Sequence, residues 1–190
     1  NVRGTPEMFS LSLDDALAIY AAPNYLPMLA ASNDRNDSVP PGTPHHFWDS
    51  RTQSWRQSIK VRDNDGAPFG YDCIPNGPAV SKNVLTIGAV KPVFDYTGPA
   101  SVEMTPYSSW GPTDDGRIKP DVCGDGWDVY SSVAGSDTSY DYYYGTSMAT
   151  PNVCGSLALL QDYYRDHHFG IPMRAATLKA LAIHTAREAG

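Results

Sequence analysis

The sequence GTSMATP occupies residues 145–151 and opens the most regular stretch of the chain. Apolar side chains follow at steps of four, four, three and four residues, at Ala149, Val153, Leu157, Leu160 and Tyr164. This spacing predicts an α-helix with one buried face. Ser147 would stand at the N-terminus of that helix, where unpaired N–H groups and the helix dipole favour developing negative charge. Such a serine, preceded by a glycine that admits a close substrate backbone, is suited to nucleophilic attack.

A simpler interpretation makes Ser147 an ordinary helix cap, because serine is a preferred residue at that position. Pro151 is expected in the first helical turn, where its missing N–H costs nothing. Gly155 is expected to allow close packing of the helix. Cys154 is expected as a small buried thiol against a sheet, since free cysteine is among the most buried residue types.

Four segments together resemble the subtilisin-like serine peptidases, and they occur in the order that this family has. They are KNVLTIGAV at 82–90, YSSWGPT at 107–113, GRIKPD at 116–121 and GTSMATP at 145–151. The resemblance covers roughly residues 8–190 and outweighs the cap-only interpretation. It implies an α/β fold of three layers around a mainly parallel sheet, of which this chain holds a part. It also implies a serine endopeptidase that hydrolyses peptide bonds through an acyl-enzyme on Ser147.

Residues 29–33, LAASN, resemble the strand-end asparagine motif of the same family, although the family usually has glycine where Ser32 stands. The resemblance implies that the Asn33 side-chain amide and the Ser147 backbone N–H form an oxyanion hole. The alternative is that Asn33 only opens a turn before Asp34, for which asparagine is well suited.

The resemblance also implies a substrate-binding role for four small residues beside these motifs: Ala30, Ala31, Ser32 and Gly145. The alanine side chains leave room for a large substrate side chain. They do not define the cleavage specificity, because the opposite wall of such a pocket is not among the matched segments.

A serine nucleophile needs a histidine base and an orienting carboxylate. In this family the base lies in a His-Gly-Thr context and the carboxylate in an Asp-Ser-Gly or Asp-Thr-Gly context, both ahead of the serine. None of the five histidines has that context: His45, His46, His167, His168 and His184. We therefore expect residues 1–190 to be the C-terminal part of a catalytic domain, inactive alone and completed by an upstream part of the same domain. The rival hypothesis is a non-catalytic subtilisin-like scaffold or peptide-binding module.

The 190 residues carry a net charge of −7 and 41% hydrophobic residues, an ordinary composition for one soluble domain. The negative charge argues against nucleic acid or an anionic membrane as partner, and no apolar run approaches the ~20 residues of a membrane span. A peptide or protein is the expected substrate. The chain has no starting methionine, so we expect a processed product or a fragment. The resemblance implies a secreted or extracytoplasmic protein.

From about residue 34 to 77 no hydrophobic period is sustained, which predicts a long insertion-like loop with room for a hairpin. Within it, DNDG at 63–66 would suit a structural calcium ion, with a solvated turn as the alternative. The chemistry itself requires no cofactor. The three cysteines form no CxxC pair, which argues against a zinc site. Cys73 and Cys123 could form a disulfide in an oxidising compartment.

Strands are predicted at 25–31, 84–90 and 127–133, the first two as apolar runs typical of buried parallel strands. A short helix is predicted from Ser12, which can cap it, to about Pro23. A last helix is predicted from about Pro172, with one face formed by Leu178, Leu181, Ala182 and Thr185. Strands that alternate with helices favour an α/β fold with a parallel sheet.

Overall fold

A computed structural model describes residues 21–36, 42–49, 51–59, 74, 77–113 and 116–189. The strands in chain order are β1 (Met28–Ala30), β2 (His45–Asp49), β3 (Ser54–Ser58), β4 (Leu85–Val90), β5 (Val122–Asp125), β6 (Val129–Ser132) and β7 (Tyr140–Tyr143). The helices are α1 (Thr146–His167) and α2 (Ala175–Thr185). Short 3-10 turns occupy Pro78–Val80 and Pro99–Ser101.

Strands β1, β4 and β5 form a parallel sheet with β4 in the middle. Ile87 of β4 lies opposite Ala30 on one side and Val122 on the other. All six residues of β4 are buried, as expected for a central strand whose two faces are both covered. The predicted α/β class with a parallel sheet is confirmed, and so are the strands predicted at 25–31 and 84–90.

Helix α1 packs across all three strands of this sheet. Its buried face is the one that the apolar spacing predicts. Ala149 and Leu157 lie in the core, and Val153, Leu160 and Tyr164 pack against it. The sheet, α2 and the segment between the helices supply the other buried members of the core: Leu85, Ile87, Ala89, Met173 and Leu178.

Two glycines at the end of β5 let α1 lie close to the sheet. A Cβ atom built on Gly124 would lie 2.7 Å from Val153 Cγ2. A Cβ atom built on Gly126 would lie 2.6 Å from the Gly145 carbonyl oxygen and 2.7 Å from Ala89 Cβ. A larger residue at either position would force the helix or the strand to shift.

Three expectations about α1 are wrong. Cys154 and Gly155 are exposed, and no atom lies within 4 Å of a Cβ built on Gly155. Each residue of a helix is rotated by about 100° from the one before it, so the two residues directly after Val153 point away from the sheet. Pro151 is the sixth residue of the helix rather than part of its first turn. Its missing N–H leaves the Ser147 carbonyl without the usual helical donor.

Two antiparallel hairpins, β2–β3 and β6–β7, lie outside the parallel sheet. The first falls within residues 34–77, where the sequence leaves room for a hairpin. Strand β6 lies within the stretch predicted at 127–133. Strands β5 and β7 were not predicted.

Helix α2 begins three residues after Pro172, close to the predicted start. Leu178 is buried, Leu181 and Ala182 pack against the core, and Thr185 is exposed. Three of the four residues of the predicted face therefore contact the core.

Several expectations fall outside the described residues: the helix from Ser12, the calcium loop at 63–66 and the thiol of Cys73. Cys123, its suggested disulfide partner, is a free thiol. Within the described ranges, no helix combines the length and apolar character needed to cross a membrane. The same residues contain no group of three or more side chains that could hold a metal ion.

Candidate active site

The two sequence motifs meet at the carboxyl-terminal edge of the parallel sheet. Asn33 follows the end of β1 by three residues, and Ser147 is the second residue of α1. The Asn33 Oδ1 atom accepts hydrogen bonds from Thr146 N at 3.0 Å and from Thr146 Oγ1 at 3.1 Å. Asn33 therefore contacts the residue directly before Ser147. This edge is where open α/β sheets usually bind their ligands.

The two hydrogen bonds from Thr146 also determine how the Asn33 amide is oriented. Because Oδ1 faces Thr146, the Nδ2 group lies over Gly145, 3.3 Å from the position that a Cβ on that glycine would take. The Asn33 side chain is exposed, and Nδ2 has no hydrogen-bond acceptor among the described residues. Its N–H groups are thus available to an external oxygen.

The first turn of α1 leaves one backbone donor unused. Thr146 N donates to Asn33, while Met148 N and Ala149 N both donate to the Gly145 carbonyl at 3.0 and 3.2 Å. The Ser147 N–H has no acceptor in the described part of the chain. The first N–H groups of a helix have no partner within the helix, so this donor lies ready for an anionic oxygen. Ser147 itself is exposed.

Gly145 fits the role of a residue that must lack a side chain. Its φ of 141° is a value that residues with a Cβ rarely adopt. It is buried, and its N–H donates to the Gly126 carbonyl at 2.9 Å. A side chain here would also approach the Asn33 amide. The glycine therefore allows the asparagine and the serine loop to come together.

The loop that carries Asn33 is held by Ser109. The Ser109 N–H donates to the Ser32 carbonyl at 2.9 Å, and the Ser109 hydroxyl accepts from Asp34 N at 3.0 Å. The Ser32 hydroxyl donates to Asp34 Oδ2 at 2.6 Å. Ser32 has a φ of 84°, in the left-handed region that favours glycine. Glycine is the residue that the family usually has at this position.

Tyr107 connects the site to the end of β5. Its hydroxyl donates to the Gly126 carbonyl at 2.6 Å, the same carbonyl that accepts from Gly145. Burial raises the pKa of the Tyr107 hydroxyl above its usual value. The Tyr107 ring stacks on Trp127 with 6.2 Å between the ring centroids.

The remaining predicted substrate-binding residues lie beside Asn33. Ala30 is the last residue of β1 and is half-buried, as is Ser32. Ala31 is fully buried, and its N–H donates to the Ile87 carbonyl at 2.9 Å. Contact of these residues with a substrate stays a prediction.

The histidines of the two helices lie apart from this arrangement or at the surface. His167 and His168 are at the far end of α1, and their Nδ1 atoms are 2.8 and 2.9 Å from the carbonyls of Tyr163 and Tyr164. Twenty residues of helix separate His167 from Ser147, a distance of about 30 Å. His45 and His46 are on β2, and His184 is exposed on α2.

Sequence reasoning missed the residue that joins the two motifs, Thr146. Its backbone and its hydroxyl both bind Asn33. The only available signal was its place between Gly145 and Ser147. A hydrogen bond between residues 113 apart cannot be read from local spacing.

The fold is α/β, and at one edge of its parallel sheet an exposed serine lies beside an unused backbone N–H and an asparagine amide. The model of the subtilase family, Peptidase S8, matches residues 4–190, and the chain belongs to this family. Among curated proteins it is similar to the C5a peptidase of Streptococcus pyogenes serotype M1, with 42% identity over 113 residues. It is also similar to the pyrolysin of Pyrococcus furiosus, with 38% identity over 106 residues.

These alignments cover 58% and 46% of this chain. They cover only 9% of the C5a peptidase and 8% of pyrolysin, so the chain matches a small part of each relative. Among solved structures, the prenylagaramide maturation protease PagA superposes with a TM-score of 0.51 and 20% sequence identity. That superposition covers 92% of this chain and 45% of PagA, and it supports the subtilisin-like fold.

Proposed function

We propose that this chain supplies the nucleophile and the oxyanion hole of a serine endopeptidase. Ser147 would attack the peptide carbonyl carbon, and the carbonyl oxygen would take up the negative charge. The Ser147 N–H and the Asn33 Nδ2 group would donate to that oxygen. The single observation that carries this proposal is the hydrogen-bonding of Asn33, whose Oδ1 is used by Thr146 while its amide nitrogen has no acceptor among the described residues.

The base and its carboxylate are proposed to come from outside residues 1–190, in an upstream part of the same catalytic domain. Within the chain no histidine has the family context. A serine without its base loses most of its catalytic power, about 10⁶-fold in kcat for subtilisin. The substrate class is a peptide or protein. A secreted or extracytoplasmic location remains a proposal from the family resemblance.

Labelling with a fluorophosphonate tests the nucleophile directly, because this reagent reacts only with an activated serine. We expect labelling of Ser147 when the chain is expressed with the upstream residues of its gene product, and little labelling of the chain alone. Ser147→Ala should abolish it. Ser156→Ala is the matched control, since Ser156 lies on the same helix and its exposed hydroxyl donates to Asn152 O. Absence of labelling in the longer protein would favour the non-catalytic scaffold.

Asn33→Asp tests the oxyanion hole with little change to the fold. The aspartate keeps an oxygen for the two hydrogen bonds from Thr146 but has no N–H for a substrate oxygen. We expect kcat to fall about 10²–10³-fold, the magnitude known for removal of such a donor in subtilisin. Asn33→Ala removes the acceptor for Thr146 as well as the donor for the substrate oxygen, so it should lower stability as well as kcat. A variant Asn33→Asp with unchanged kcat would contradict the assignment.

A further inference from the structure

The hairpin that leads into the serine helix has an exposed aromatic surface. Tyr130 on β6 lies opposite Tyr142 on β7, and Tyr140 is two residues before Tyr142, so the three side chains share one face. The ring of Tyr130 lies 4.8 Å from that of Tyr142 and 5.5 Å from that of Tyr140, between centroids. Each of the three residues is more than half exposed. We call Tyr130, Tyr140 and Tyr142 the tyrosine face.

The chain segment that carries the tyrosine face has formal charges of one sign. From residue 120 to 164 the sequence has six aspartates and no lysine, arginine or histidine. Three of these aspartates belong to the hairpin: Asp128, Asp137 and Asp141. Among the described residues none of the three forms an ion pair. No positive charge therefore pairs with them within the described structure. Asp141 lies between Tyr140 and Tyr142 on β7 and points to the other face of the hairpin, so Asp128 and Asp137 are the two that remain for the tyrosine face.

Exposed aromatic rings beside carboxylates that have no ionic partner are complementary to a cationic side chain. Asp128 keeps its charge here, although its Oδ1 accepts a hydrogen bond from the Tyr144 hydroxyl at 3.1 Å. An ammonium or guanidinium group is attracted by the face of an aromatic ring and by a carboxylate at the same time. The neighbouring ring of Trp127 already has such a contact, because Lys91 Nζ lies 5.4 Å from its centroid. A neutral ligand would stack on the rings but leave the carboxylate charges without a partner.

The hairpin is also close enough to reach a peptide bound at Ser147. Tyr142 and Tyr140 lie five and seven residues before the serine. Such stretches span at most about 17 and about 24 Å, the length of about five to seven residues of an extended substrate. We propose that the tyrosine face, together with Asp128 and Asp137, binds lysine and arginine side chains of the substrate, on one side of the bond cleaved at Ser147. This inference rests on the proposed function.

Binding can be measured without catalysis in the Ser147→Ala variant. The probe is a fluorescent decapeptide of alternating lysine and alanine, compared with a matched peptide in which glutamine replaces lysine. We expect fluorescence anisotropy to show binding of the lysine peptide at least about tenfold tighter, weakened when the salt rises from about 20 to about 300 mM. Asp128→Asn should weaken it severalfold. Asp128 has a φ of 58°, which asparagine also adopts, so this variant should keep its fold.

Tyr130→Ala together with Tyr142→Ala should reduce binding of the lysine peptide about tenfold. The matched controls are Tyr163→Ala and Asp162→Asn, both exposed residues on α1, and they should leave binding unchanged. Equal affinity for the lysine and glutamine peptides would overturn the inference. Tighter binding of a neutral oligosaccharide, cellohexaose, would also overturn it.

Fluorophosphonate labelling separates this inference from the proposed function. If Ser147 is labelled but the protein shows no preference for the lysine peptide, the inference about basic substrates is wrong and the peptidase proposal still holds. A lysine preference in a longer protein whose Ser147 is never labelled would overturn the peptidase proposal, and it would support the hairpin as a binding surface for basic peptides.

Discussion

At the amino-terminal edge of the parallel sheet, Asp121 accepts hydrogen bonds from Thr86 N at 2.7 Å and from Lys119 Nζ at 2.6 Å. Its other oxygen pairs with Lys179 Nζ at 3.2 Å. At the carboxyl-terminal edge, Asn33 Nδ2 and Ser147 N have no acceptor among the described residues. Polar groups are thus satisfied and mostly buried at one edge and available at the other.

This difference separates groups that hold the fold from groups that can bind. Lys119 Nζ also donates to the Val84 carbonyl and to Thr86 Oγ1, so a nearly fully buried ammonium uses three acceptors. Burial nevertheless lowers the pKa of Lys119 below its usual value, although Asp121 opposes the shift. A buried charge of this kind is tolerated only with its partners in place. An unpaired donor, in contrast, is tolerated where water or a substrate reaches it.

The largest effect on stability is expected at the amino-terminal edge, in Asp121→Ala. Two ammonium groups, Lys119 and Lys179, would lose their carboxylate, and removal of one partner from a buried pair costs about 3–5 kcal/mol. Urea denaturation measures the loss. Asp162→Ala, at an exposed position of α1, should change the free energy of unfolding by less than about 0.5 kcal/mol. A loss below about 1 kcal/mol for Asp121→Ala would show that this edge does not depend on its charges.

The surroundings of Cys123, on the edge strand β5 of the sheet, should be dry, and the pKa of its thiol can test this. Burial raises the pKa of the Cys123 thiol from 9.0 to about 11. The folded protein then keeps this proton when the unfolded chain has lost it, so stability falls as the pH rises from about 9 to about 11. Two pKa units correspond to a loss of about 2.7 kcal/mol at the upper end.

The measurement is the difference in unfolding free energy between the protein and Cys123→Ala as a function of pH, which removes the contribution of other titrating groups. In a Cys73→Ser background, exposed Cys154 should react with a thiol reagent at pH about 8, and Cys123 should not. Rapid reaction of both thiols would mean that water and the reagent reach Cys123 on β5.

The junction between the sheet and the candidate site depends on Gly126. A Cβ at this position would meet the Gly145 carbonyl at 2.6 Å, and backbone cannot move aside cheaply. We expect Gly126→Ala to lower stability by about 1–3 kcal/mol and to displace the serine loop, lowering kcat. Gly155→Ala is the control with the opposite sign, because Gly155 lies in open space on a helix and alanine there should add about 0.5–1 kcal/mol. A stable and active Gly126→Ala variant would contradict the close packing.

The long periodic elements could be predicted from the sequence, and the short pairings could not. The apolar run at 84–90 and the spacing along α1 carry their own signal. Strand β5 reads Val-Cys-Gly-Asp, with no apolar run and a glycine that reflects packing against α1. Its place in the sheet depends on β4, more than thirty residues earlier in the chain. Residue type alone was misleading for Cys154, because one step along the helix from half-buried Val153 turns the side chain by about 100° to an exposed position.

In the candidate site, too, the local pattern could be predicted and the contacts between distant segments could not. Motif resemblance was enough to select Ser147 and Asn33 as candidates. The donor left free at each of them, and the hydrogen bonds from Thr146 that orient Asn33, depend on contacts between distant segments. Local pattern carries no information about such contacts.

The smallest effect is expected at Ser32, where the sequence departs from the family. Its φ of 84° is costly for serine, about 1 kcal/mol or more, and glycine would adopt it freely. Glycine would also lose the 2.6 Å hydrogen bond from Ser32 Oγ to Asp34 and gain freedom in the unfolded chain. These terms nearly cancel, so Ser32→Gly should change the free energy of unfolding by less than about 0.5 kcal/mol and kcat by less than about threefold.

Ser32→Ala separates the hydrogen bond from the backbone contributions, because it keeps the unfavourable φ and removes the hydroxyl. It should lose about 1 kcal/mol in urea denaturation, the contribution of one hydrogen bond. If Ser32→Gly instead lost more than about 2 kcal/mol, the hydroxyl would be a main support of the Asn33 loop. The carboxyl-terminal edge would then depend on its own polar contacts much as the amino-terminal edge depends on Asp121.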